Sequence, residues 1–103
     1  MAEWEQNIKT PSLPDLVILI IKEAQQIDAL FADRNSIGYL NRTNLIFRKN
    51  STTAAVNEIE NFQTLIRECL KTENPHSPKN KILAFIQLLQ QLKLKFQDVQ
   101  NIV

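Results

Sequence analysis

The sequence predicts an all-α protein, an up-and-down helical bundle of three long helices and one shorter second element, and three observations carry that reading. One Gly and four Pro in 103 residues are few for a chain with many turns. Leu, Lys, Gln and Glu, which lose little side-chain freedom in a helix, are abundant instead. Three stretches repeat apolar residues at spacings of three and four, the period of a helix that buries one face. The turn signals between them are short, so sequence neighbours should run antiparallel. A chain of 103 residues is one domain, 1–103, able to remove about two-thirds of its unfolded surface from water.

Residues 1–11 read as a loosely ordered N-terminal arm, in which Trp4 and Ile8 stand four apart and can share a side of one helical turn. Pro11 and Pro14 then punctuate the chain, and Ser12 with Asp15 three residues on forms a variant of the capping box that opens helix one. On a helical wheel Leu13, Leu16, Val17, Ile20, Ala24, Ile27 and Phe31 fall on one face, with Leu19, Ile21 and Leu30 at its margins and Ile18 opposite. The pattern persists to about Asp33, too long for a strand.

The second element, about 37–48, admits two readings. One is a short helix capped by Ser36, with Ile37, Leu40 and Phe47 inward and Asn44 at the seam. The other is a hairpin around Asn41-Arg42-Thr43-Asn44. The helix is preferred because an isolated two-stranded ribbon is marginal in water.

Helix three opens at Asn50 or Ser51, carries Ala55, Val56, Ile59, Phe62, Leu65, Ile66, Cys69 and Leu70 on one stripe, and ends near Thr72 before Pro75. The last helix enters at Ser77 and Pro78. Its seam of Ile82, Phe85, Leu89, Leu92, Phe96, Val99 and Val103, widened by Ile86 and Leu88, averages the 3.5-residue period of bundles. Lys81, Lys93 and Lys95 border it.

Twelve basic and eleven acidic side chains leave a net charge of +1, so no global charge draws the chain to nucleic acid or to an anionic membrane. The longest apolar run, Leu16 to Ile21, is far short of the roughly 20 residues of a membrane span. Cys69 is the single cysteine, and Met1 to Lys9 is charged without an apolar run, so the expected compartment is the reducing cytoplasm and no internal disulfide can form.

Catalysis needs a nucleophile beside a tuned acid or base, a metal, or a cofactor cradle. One His, one Cys and one Gly leave no phosphate loop or dinucleotide fingerprint, both of which need several glycines. Cys69 and His76 make two metal ligands where zinc needs three or four. Arg67 and His76 are separated by Pro75, which interrupts the helix that would have to present both. Glu58 and Glu60, two apart on a helix, diverge. The expectation is no enzyme, no cofactor and no metal.

Two surfaces remain. The shorter second element cannot cover the full length of its neighbours, which leaves Ile18, Leu19, Ile21, Leu88 and Val103 in surplus, with Trp4 of the arm as a further anchor. This predicts a non-enzymatic protein–protein interaction module, an adaptor or regulatory subunit, whose partner is another protein or a second copy in a homodimer. The alternative is a small nucleic-acid-binding protein: 34–49 holds Arg34, Arg42, Arg48 and Lys49 without an acid, interleaved with Tyr39 and Phe47, the residue types that pair phosphates and stack bases. Met1 to Asp33 carries six acids and two bases, so the basic segment could equally offset its neighbour.

Overall fold

A computed structural model describes residues 12–31, 37–71 and 78–102, with side chains through Asp98. Four helices follow in order: α1 Leu13–Leu30, α2 Tyr39–Phe47, α3 Thr52–Lys71 and α4 Lys79–Ile102. The starts follow local chemistry. The Ser12 hydroxyl accepts from the Asp15 N–H at 3.4 Å and the Ser51 hydroxyl from the Ala54 N–H at 3.1 Å, each satisfying a first-turn amide that has no helical partner. The Pro78 carbonyl accepts the first bond of α4 from Ile82. Ser77, the expected cap, lies outside the described residues, as do Ser36 and the side chains of Val99 and Val103.

The start of α2 is made differently. Gly38 occupies its N-cap with φ 80° and ψ 63°, a left-handed conformation that glycine adopts without steric cost, and glycine has no side chain with which to cap the helix. Asp28 of α1 does so from across the bundle: its two carboxylate oxygens accept from the Tyr39 and Leu40 N–H groups at 2.9 and 3.0 Å. A carboxylate at a helix N-terminus answers both the unpaired amides and the positive end of the dipole. This contact ties the last turn of α1 to the first turn of α2.

The helices form a ring in which α1 packs on α2 and α4, and α3 packs on α2 and α4. Their antiparallel sense is visible in the side chains. Lys93 reaches Glu60 while Gln90, one turn back, meets Gln63, one turn on. Lys81, at the start of α4, reaches Glu23 and Gln26 in the second half of α1. The interior is filled from every helix: Leu16, Ile20, Ala24 and Ile27 of α1, Ile46 of α2, Ile59 and Ile66 of α3, and Ile82, Leu89 and Leu92 of α4. Tyr39, Phe62 and Phe85 meet at the centre with ring centroids 5.4 to 5.7 Å apart, so the α2–α4 diagonal is spanned by aromatic edges and faces. Burial first, then Cys69 and Asp28, push the Tyr39 phenol up to about 12. The buried Thr43 hydroxyl donates to the Tyr39 carbonyl at 2.8 Å. No buried side-chain polar atom among the described residues lacks a partner, as a stable interior requires.

Several expectations are corrected. Helix one stops at Leu30, short of Asp33, where the Phe31 N–H closes a tight bond on the Asp28 carbonyl. The preferred helix reading of the second element holds over Tyr39–Phe47, but its core face is Tyr39, Thr43 and Ile46. Ile37, Leu40 and Phe47 pack only at the edge of the core. Cys69, expected on the buried stripe of α3, is exposed in the last turn of that helix, while Gln63 is buried. The amide of Gln63 is tolerated inside because it donates to the Gln90 Oε1 at 3.2 Å.

Candidate interaction surface

The wheel of α1 separates two jobs. Leu16, Ile20, Ala24 and Ile27 are fully buried, and Leu13, Val17 and Phe31 pack beside them. The opposite face reads Pro14, Ile18, Lys22, Gln25 and Ala29 at steps of three and four, all exposed. Ile18 is 65 % exposed and Leu19, next to it, 37 %. Of the other surplus residues expected, Ile21 is half-buried and Leu88 is half-buried against the core. The apolar belt is therefore narrower than its sequence suggests. Trp4 and Val103 lie outside the described residues.

Sequence reasoning missed a pattern around the two exposed residues. Asp15, Ile18, Leu19 and Lys22 stand at i, i+3, i+4 and i+7, one stripe of a helix, and all four are exposed. Neither Asp15 nor Lys22 makes an ion pair among the described residues. Seven residues apart, about 10 Å along the axis, they cannot reach each other. Further along that edge, Glu23 and Gln26 are bridged to Lys81, which separates the stripe from the exposed Leu30.

Other exposed apolar residues are single. Leu83 and Leu94 stand eleven apart on α4 with Gln87 between them, and Leu45 lies on α2 between Arg42 and Arg48. Isolated exposures of this kind are ordinary. An open depression of about 390 Å³ at the α2–α3 junction has Ile46, Phe47, Ala55 and Phe96 on its walls. The cation on its rim, Lys49, is engaged with Glu58 at 3.3 Å.

The described residues of the basic segment are divided among different environments. Tyr39 is 2 % exposed at the centre of the core, between Phe31, Phe62 and Phe85, so it has no face to offer a base. Phe47 packs against the core edge. The Arg42 Nε donates to the Ile37 carbonyl at 2.9 Å, Arg48 is exposed, and Arg34 lies outside the described residues. Of the acids of α1, Glu23 pairs with Lys81 of α4 and Asp28 accepts from the amides that open α2.

Among the described residues no group of three or more His, Cys, Asp or Glu could hold a metal ion, and no helix is long and apolar enough to cross a membrane. Set against family models, curated proteins and solved structures, the chain matches none of them.

Proposed function

We propose that the protein is a non-enzymatic interaction module, an adaptor or regulatory subunit, which associates through the outer face of α1. The observation that carries this reading is the exposure of Ile18 beside Leu19 on a helix whose core face is already complete. Folding gives Ile18 little reason to be apolar, and an exposed aliphatic side chain beside the partly covered Leu19 is the kind of surface a partner desolvates. Nucleic-acid binding is the weaker reading, because the aromatic that base stacking would use most, Tyr39, is committed to the core.

A photo-reactive aliphatic residue placed at Ile18, with Gln25 two turns on as the control, tests the proposal in the cell that makes the protein. The expected result is a discrete covalent adduct to a protein from position 18 and none from position 25. Equal or absent labelling at the two positions would overturn the reading.

A further inference from the structure

We infer that the partner of the α1 face is a second copy of this chain, bound antiparallel about a two-fold axis that passes between Ile18 and Leu19. The inference rests on the interaction-module reading and adds the occupant and its register. It follows from charge complementarity within the stripe Asp15, Ile18, Leu19, Lys22. When two identical helices cross antiparallel about that axis, each position meets the one equally far on the other side. Ile18 then faces Leu19 of the second copy, and Asp15 faces its Lys22. The two-fold repeats both contacts, so one apolar centre is bracketed by two ion pairs, as an isologous interface requires of a single surface patch.

The carboxylate and ammonium that would form those pairs have no ion-pair partner among the described residues. A parallel arrangement would instead set Asp15 against Asp15 and Lys22 against Lys22, so the charges choose the orientation. Four exposed residues per copy make a small interface, which belongs to the weak, concentration-dependent class.

Sedimentation equilibrium of the whole chain over a series of concentrations, with charge-reversed variants, tests this. The wild type should approach twice its chain mass of 11.9 kDa as concentration rises. Asp15→Lys alone, which sets Lys against Lys twice, and Lys22→Glu alone, which sets acid against acid twice, should each stay at the single-chain mass. Mixing the two variants should restore the doubled mass, because each pair is then Lys with Asp or Lys with Glu. The Asp15→Lys, Lys22→Glu double variant should restore it too. Restoration also shows that the single variants are folded. A wild type that stays at 11.9 kDa throughout would overturn the inference, and so would a dimer indifferent to both reversals. A monomer leaves the interaction-module reading standing if position 18 still labels a different protein, and that reading falls separately if position 18 labels nothing.

Discussion

Replacing Phe85 or Phe62 by Ala is expected to cost about 3 to 5 kcal/mol of folding stability, the range for a large aromatic removed from a packed interior. Both rings are buried, they meet each other at 5.7 Å, and each also meets Tyr39. Truncation removes apolar area, opens a cavity and breaks two ring contacts, each worth about 0.5 to 1.5 kcal/mol beyond its area. A domain of this size is stable by about 5 to 15 kcal/mol in all, so either variant stands close to unfolding. Urea denaturation followed by circular dichroism gives the value. Because the rings touch, the double variant should lose less than the two single losses added together. A loss under about 1 kcal/mol at both positions, well below the range for buried aromatics, would contradict the packing described above.

Asp28→Ala should be the costliest change of a charged residue, at about 2 to 3 kcal/mol, since it removes two charge-assisted hydrogen bonds from backbone amides. The Tyr39 and Leu40 N–H groups would lose their acceptor, and no side chain of the 38–40 segment replaces it. Asp28→Asn keeps one good acceptor and should lose less. Amide hydrogen exchange gives a second readout: protection should fall at Tyr39 and Leu40 before it falls elsewhere in the core. Unchanged stability and unchanged protection in Asp28→Ala would show that α2 does not depend on α1 for its start.

These two sites also mark where sequence was informative and where it was not. Phe62 and Phe85 were legible as core because each sits inside an unbroken apolar seam at helical spacing, and that spacing is a local property. The same holds for Leu16, Ile20, Ala24 and Ile27 and for the outward position of Ile18. Asp28 was not legible as a cap, because the amides it serves are eleven and twelve residues away and only packing brings them together. Tyr39 read as a stacking residue because its sequence neighbours are cations. In the fold Tyr39 opens α2 on its buried face, directly after the left-handed Gly38. The burial of Gln63 and the exposure of Cys69 were hidden for a related reason. A buried amide needs a partner that only another helix can supply, and a cysteine in a final turn is covered only if a neighbour extends that far. Of the candidate surface, Ile18 and Leu19 were visible as surplus, whereas the half-burial of Ile21 and Leu88 depends on how α2 and α4 sit beside α1.

The proposed function requires Ile18 and Leu19 to be apolar for a reason outside the bundle. Its most direct test is the unfolding free energy of Ile18→Lys, measured in urea at a concentration where the wild type is a single chain, so that association adds nothing to stability. The expected value lies within about 0.5 kcal/mol of wild type, the usual range for an exposed position, with unchanged helix content. A loss of more than about 1 kcal/mol, which is outside that surface range, would place Ile18 among the residues that hold the fold together and would contradict the claim.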